Sequence, residues 1–194
     1  MENNNENKEM TAKQSLGIIT EMMNNSRRAI LQNSAKHFIL WGVLLIVVSF
    51  VIYELWHVTD NPAWNFLWFA MPAIGFPVAR ILDKKDSDVP QNYLNRQIGA
   101  IWLAYCAFAM TSSVIAVFAV PMPITLVIVI AFGFAECISG ILLKNWAIII
   151  SGFVLGIGGA VAAAMLVWAE QLLIFTIGGI ILVATGLIVK HQYK

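Results

Sequence analysis

Charged residues are scarce in this chain. Only 12% of its 194 residues are Asp, Glu, Lys or Arg, whereas 59% are hydrophobic, and the mean hydropathy is +0.76. A soluble domain of this length cannot bury so much apolar surface. The formal net charge is +1, and nothing resembles the concentrated basic face that binds nucleic acid. We therefore expect the chain to lie in a lipid bilayer and to have no nucleic-acid partner.

Cysteine, histidine and catalytic motifs are also sparse. The two cysteines, Cys106 and Cys137, fall in apolar runs, so we expect small buried side chains rather than a disulfide framework. The sequence contains no CxxC pair, HExxH, P-loop or nucleophile elbow, which argues against zinc and against the common hydrolytic enzymes. No apolar run holds a central histidine to bind haem. We predict a non-enzymatic protein with no catalytic residue, cofactor or metal.

Long hydrophobic runs, by contrast, are plentiful. Six of them can cross about 30 Å of hydrocarbon as helices, at about 1.5 Å per residue. Because hydrocarbon offers no water to backbone amides, runs of this length must be helical. The predicted spans are Phe38–Val58, Pro62–Leu82, Gln97–Val120, Ile124–Leu143, Ala147–Trp168 and Leu172–Val189. The sequence predicts an all-α, polytopic membrane protein with a six-helix bundle at 37–190.

The basic residues predict how the bundle is oriented. With six spans, all twelve Lys and Arg residues lie before the first span, in or beside the second connection, in the fourth connection, or after the last span. These positions lie on one side of the membrane, and Lys and Arg are retained on the cytoplasmic side. We therefore predict a bacterial cytoplasmic-membrane protein with both termini in the cytoplasm and a short tail at 191–194.

The region before the first span divides into two parts. Residues 1–10, "MENNNENKEM", carry too few apolar groups to offset the entropy of ordering, so we expect disorder. From Thr11 the motif "TAKQ" resembles a capping box at a helix start. Apolar residues then recur at helical spacing, which predicts an amphipathic cytoplasmic helix at 11–36. Its apolar stripe consists of Leu16, Ile19, Met23 and Ile30.

Two interpretations of this stripe remain open. The helix can lie on the membrane surface or under the bundle, with Arg27 and Arg28 near lipid headgroups. Alternatively, the stripe docks a partner helix or a second copy of the chain, although Ser26 interrupts the heptad pattern.

The second span is interrupted by Pro72 and Pro77, with Gly75 between them. Each proline lacks an amide donor and clashes with the preceding turn, so the helix is expected to kink or open there. Broken helices with freed carbonyls form binding sites in many transporters. The alternative is an ordinary kink that neighbouring helices or water repair.

Small residues mark the fifth span, where they recur every four positions. Such ridges let membrane helices approach closely, so we predict a packing face, used within the bundle or in a dimer. Its members are Gly152, Gly156, Ala160 and Ala164. A weak repeat also relates "GFAECISGILLK" (133–144) to "GIILVATGLIVK" (179–190), each with two glycines seven apart.

One acid, Glu136, lies inside a span. It is about 10 Å from the inner end of the fourth span, where a charge that faces lipid costs at least about 2.5 kcal/mol. We therefore expect it to face protein, as the neighbouring Gly133 and Gly140 suggest. By depth, its candidate partners are Tyr105 as a hydrogen-bond donor and Arg80 as a cation.

Three interpretations compete for Glu136. A neutral acid that is hydrogen-bonded, for example to Tyr105, would be a structural clasp between helices. An ionised acid paired with Arg80 would also be structural but would respond to voltage or pH. An acid that faces a hydrated cavity near the break in the second span would carry protons or bind a cationic substrate.

The segments "FILWGVLL" and "NPAWNFLWFAMPAIGFP", in the first two spans, resemble a group of small six-span bacterial inner-membrane proteins of uncharacterised activity. More distantly, the paired short hairpins look like the acid-resistance membrane proteins of bacteria. The resemblance implies a six-span inner-membrane fold and supplies no catalytic residue.

The short outer connections leave no external domain, whereas polar sequence is concentrated on the inner side. We therefore predict a partner-binding or regulatory membrane subunit that acts through its cytoplasmic helix and inner loops and self-associates. The alternative is a small transporter or channel that uses Glu136 and the proline-broken second span. The expected partners are the lipid bilayer, a second copy, and a cytoplasmic or membrane protein.

Overall fold

The computed structural model describes residues 12–85 and 93–193. These residues form helices and short connections, with no strand among them, and six of the helical segments are long and apolar enough to cross a membrane. The α-helices are α1 (Ala12–Thr59), α2 (Ala70–Lys85), α3 (Tyr93–Phe118), α4 (Ile124–Leu143), α5 (Trp146–Phe153), α6 (Gly159–Met165) and α7 (Leu172–Gln192). The prediction of an all-α chain with six apolar spans is confirmed.

The amphipathic helix and the first span form one continuous helix in the structure. α1 runs for 48 residues without a break, whereas the sequence predicts a boundary between residues 36 and 37. The reason is local, since no proline lies between residues 12 and 59 and "SAKHF" contains nothing that stops a helix. The separate cytoplasmic helix is therefore an N-terminal extension of the first span.

Two other predictions concern the N-terminal and C-terminal segments. The segment predicted to be disordered, 1–10, lies outside the described residues, as does most of the connection between the second and third spans. At the other end, α7 continues to Gln192. His191 and Gln192 of the predicted tail therefore belong to the last helix.

The helices are packed as two antiparallel pairs with two outer helices. α1 packs along α7, and α4 packs along α5 and the turns that follow it. α2 lies against α1, and α3 lies against α4. The outer helices are poorly covered, since Ile98 is the one buried residue of α3. The core of the bundle is therefore built from α1, α4, α5 and α7.

Glycines set the closeness of α1 and α7. A Cβ on Gly42 would lie 2.8 Å from the carbonyl oxygen of Gly179, and one on Gly186 would lie 2.9 Å from that of Ala35. Only glycine allows the two backbones to come this near. Gly179 and Gly186 are the glycine pair of the second repeat unit, so that pattern corresponds to a packing face.

The fifth span changes its helical form midway. α5 is followed by a π-turn (Val154–Gly158) and then by α6, and the three together run from Trp146 to Met165. Of the predicted ridge, Gly152 is buried, Gly156 and Ala160 are half-buried, and Ala164 is exposed.

Beyond Gly156, a different pair of small residues continues the contact. A Cβ on Gly159 would collide with Val129 of α4, and Ala163 is buried. Positions spaced by three and then four residues stay on one face of a helix, whereas a strict every-fourth row inclines across it. The packing face therefore turns away from Ala164.

The second span changes form before its prolines. A 3-10 helix (Pro62–Phe69) leads into α2 at Ala70, which places Pro72 in the first turn, where its missing amide costs little. Pro77 lies inside α2. Gly75 makes room for α1, since a Cβ there would collide with the Trp41 ring.

Candidate functional site

Glu136 lies at the contact between α4 and α5 and has no exposed surface. Its Oε1 atom is 2.6 Å from the Oγ atom of Ser151, which is itself only 5% exposed. The same Ser151 Oγ is 3.0 Å from the carbonyl oxygen of Ile148, one turn earlier on α5. The second carboxyl oxygen, Oε2, is buried and has no hydrogen-bond partner. The three groups form a short polar chain inside an apolar interface.

Backbone contacts close this interface one turn to either side of the acid. A Cβ on Gly133 would collide with Gly156 and lie 2.6 Å from the carbonyl oxygen of Gly152. On the other side, a Cβ on Gly140 would lie 2.7 Å from the amide nitrogen of Ile149. The carboxyl group is therefore enclosed between two points at which the helices touch.

Tyr105 and Arg80, the partners predicted for Glu136 from depth along the helices, make other contacts or lie at the surface. Tyr105 packs its ring edge-on against Trp102 and Phe132, with centroids 5.8 Å and 5.4 Å away. Arg80 is exposed on α2. The hydrogen bond of Glu136 goes to Ser151 and to neither of these residues. Of the three candidate site residues, none is in hydrogen-bond or ion-pair contact with another.

Sequence reasoning missed Ser151, although a signal was present. Serine in a helix usually bonds to its own backbone, as Ser139 does to the carbonyl of Ala135 at 2.8 Å. Such a residue does not stand out as an interhelical partner. However, Ser151 directly precedes Gly152, and matching the glycines of the two helices would have brought it next to Glu136.

A second polar contact joins the other helix pair. The hydroxyls of Ser49 on α1 and Thr176 on α7 are 2.8 Å apart, and Ser49 is fully buried. Each of these two helix pairs thus has glycine contacts and a buried polar side-chain contact. Interhelical hydrogen bonds of this kind stabilise membrane bundles modestly.

The apolar stripe at the start of α1 is largely uncovered. Leu16, Ile19 and Met23 are 64%, 53% and 56% exposed, whereas Ile30 is 2% exposed and belongs to the core. We call residues 12–29 the N-terminal arm. Neighbouring residues of the arm, Ile18 and Met22, are exposed as well. The arm therefore presents a continuous apolar surface that nothing in the described part of the chain covers.

This stripe continues the side of α1 that faces α2. The spacing of three and four residues carries on from Ile30 to Asn33, His37 and Trp41. The side chains of Asn33 and His37 lie 3.2 Å and 2.8 Å from Asp83 of α2. The arm begins where α2 ends, with the same side of the helix left open.

Among the described residues, no three His, Cys, Asp or Glu side chains come together as a metal site. Cys137 is buried, but Cys106 is exposed on α3, which corrects the expectation that both are buried. Exposure there follows from the outer position of α3, which packs on α4 alone among its larger contacts.

In comparisons with family models, curated proteins and solved structures, nothing matches this chain. The resemblance of the first two spans to small six-span bacterial proteins stays a prediction.

Proposed function

We propose that this chain is a non-enzymatic, multi-pass subunit of the bacterial cytoplasmic membrane that binds a partner protein through its N-terminal arm. The exposed stripe of Leu16, Ile19 and Met23, on a helix continuous with the first span, carries this proposal. Contiguous apolar surface of this kind is typical of interaction sites.

The length of α1 favours a protein over the membrane surface as the occupant of the stripe. A helix of 48 residues is about 72 Å long, whereas the hydrocarbon is about 30 Å thick. The side chain of Gln32 meets the end of α7 at the carbonyl of Tyr193. The arm before this point extends about 27 Å farther. To lie among headgroups it would have to bend sharply, and an unbroken helix lacks such a bend.

Contacts at the base of the arm would transmit the effect of partner binding to the helices of the bundle. Asn33 and His37 connect α1 to Asp83 near the end of α2, and Gln32 connects it to Tyr193. A partner on the stripe would cover the same side of α1 that α2 covers farther along the helix. We infer that occupancy of the arm changes the position of α2 relative to α1.

The orientation proposed from the basic residues has support from the packing. The His37–Asp83 contact joins the inner ends of the first two spans, next to Lys36 and Lys84. Asn145 lies 3.0 Å from Gln192, next to Lys144 and Lys190. These contacts gather basic residues at the ends of helix pairs, which favours a cytoplasmic location for both termini.

Photo-crosslinking in native membranes tests the proposal. A photoreactive residue at Met23 is expected to give one defined adduct with another protein, and the same residue at Asn24 is expected to give little. Asn24 is a matched control because it is exposed and lies about 100° around the helix. Adducts with lipid, adducts only with a second copy of the chain, or equal yields from both positions would contradict it.

A small transporter is the second candidate, and the fully buried Glu136 with an unpartnered Oε2 favours it. In the structure this acid contacts α5, while the proline-containing α2 packs on α1. Transport would therefore use the α4–α5 interface. A proteoliposome flux assay in which Glu136→Gln changes nothing would remove its main support.

A further inference from the structure

If Glu136 is ionised, its site has one hydrogen too few for both short contacts of Ser151 to be hydrogen bonds. Ser151 Oγ is within hydrogen-bond distance of two acceptors, Glu136 Oε1 at 2.6 Å and the Ile148 carbonyl at 3.0 Å. A serine hydroxyl has one hydrogen to donate. With a carboxylate, one of these two contacts would bring acceptor oxygens together without a hydrogen between them.

A protonated acid supplies the missing hydrogen. Glu136 Oε1–H then donates to Ser151 Oγ, and the Ser151 hydroxyl donates to the carbonyl of Ile148, so both short contacts are hydrogen bonds. Oε2 becomes the carbonyl oxygen of the neutral acid. Leaving that atom unpaired, as observed, costs far less than leaving a carboxylate oxygen unpaired.

Among the described residues, no basic side chain forms an ion pair with Glu136 to balance a negative charge. The helices are in backbone contact at Gly133 and Gly140, one turn to either side of the acid. The partner span, residues 146–165, contains no ionisable side chain at all. On α4 itself the one other titratable group is Cys137, whose Sγ lies 3.5 Å from the carbonyl of Ile149.

The remaining helix packed on α4 is α3, and its titratable groups are directed elsewhere or lie at its end. Tyr105 packs on aromatic rings, and Cys106 is exposed. Tyr93 and Arg96 lie in the first turn and are exposed. None of these groups forms a hydrogen bond or ion pair with Glu136 in the described structure.

We propose that Glu136 and Ser151 form a proton-binding site in the α4–α5 interface, and that the bound proton holds the two helices together. When the helices part, water reaches the carboxyl group, the O–H bond breaks and the proton passes to water. The resulting carboxylate needs hydration and prevents the glycine contacts from reforming. This site is independent of partner binding by the N-terminal arm.

Infrared difference spectroscopy tests whether the carboxyl group of Glu136 is protonated. At neutral pH, the wild-type protein is expected to show the carbonyl stretch of a protonated carboxylic acid, and Glu136→Gln is expected to lose it. Glu54→Gln, which removes an exposed carboxyl group at the other end of the bundle, should leave the band in place. Ser151→Ala should keep the band but shift it to higher frequency, because the acid loses its acceptor. Absence of the band in the wild type would overturn the proposal, as would its persistence in Glu136→Gln.

Hydrogen exchange tests the coupling to packing. The amide of Gln can donate to Ser151 as the protonated acid does but cannot ionise, so Glu136→Gln is the matched control for the effect of pH. Amides of residues 148–155 are expected to exchange at equal rates in both proteins at acidic pH. At alkaline pH they should exchange faster in the wild type. Equal rates at every pH would contradict the coupling, and the infrared result would still decide the protonation state.

Discussion

Gly133 of α4 lies directly against Gly156 of the π-turn, so that a Cβ on Gly133 would collide with the backbone of its neighbour. Gly133→Ala is therefore expected to lower the free energy of unfolding by about 1–3 kcal/mol, as overpacking does in other cores. Denaturation in mixed detergent micelles measures this change.

Gly158→Ala is the control for this substitution, since it lies on the same span and a Cβ there would meet nothing within 4 Å. It should be neutral or stabilise slightly, because alanine favours a helix over glycine. Equal destabilisation by the two substitutions would show that α4 and α5 are not in backbone contact.

The contact between Ser49 and Thr176 should make a small contribution to the free energy of unfolding. Ser49→Ala removes the 2.8 Å contact between the hydroxyls, and we expect a loss of about 0.5–1 kcal/mol, as for other hydrogen bonds between membrane helices. Ser113→Ala is the matched control, because Ser113 donates only to Ala109 on its own helix. The same denaturation assay should find no comparable loss for it.

The continuity of α1 predicts a specific distance. Spin labels at Gly17 and Val47, which are both exposed, should be about 45 Å apart if the helix is unbroken. A right-angle bend at Lys36 would shorten this to about 33 Å. Pulsed dipolar spectroscopy in lipid nanodiscs separates the two values, and the shorter one would place the arm along the membrane.

The contact between His37 and Asp83 should affect the position of α2 relative to α1 more than it affects the free energy of unfolding. Its side chains are 27% and 49% exposed, and solvent screening limits such pairs to about 1 kcal/mol or less. A double-mutant cycle with His37→Ala and Asp83→Ala is expected to give a coupling of that size. A coupling several times larger would mean that the pair lies in a much drier environment than the structure indicates.

Hydropathy alone located the spans, because a run of about twenty apolar residues has only one stable form in hydrocarbon. The boundary inside α1 was wrong because a change from amphipathic to uniformly apolar sequence marks the water interface and does not end a helix. The cost of a buried charge predicted that Glu136 faces protein, and it lies against α5. The choice of Ser151 depends on how two helices rotate and slide against each other, and counting depth along each helix carries no information on rotation.

The pairing of α1 with α7 also has a consequence for biogenesis. Gly42 rests against Gly179, so nearly the whole intervening chain must leave the ribosome before the first helix meets its main neighbour. Until then, α1 has lipid, the translocation machinery or a chaperone along the side that α7 will occupy. We therefore expect the native bundle to assemble late, and we expect nascent chains that stop before α7 to be substrates for membrane proteases.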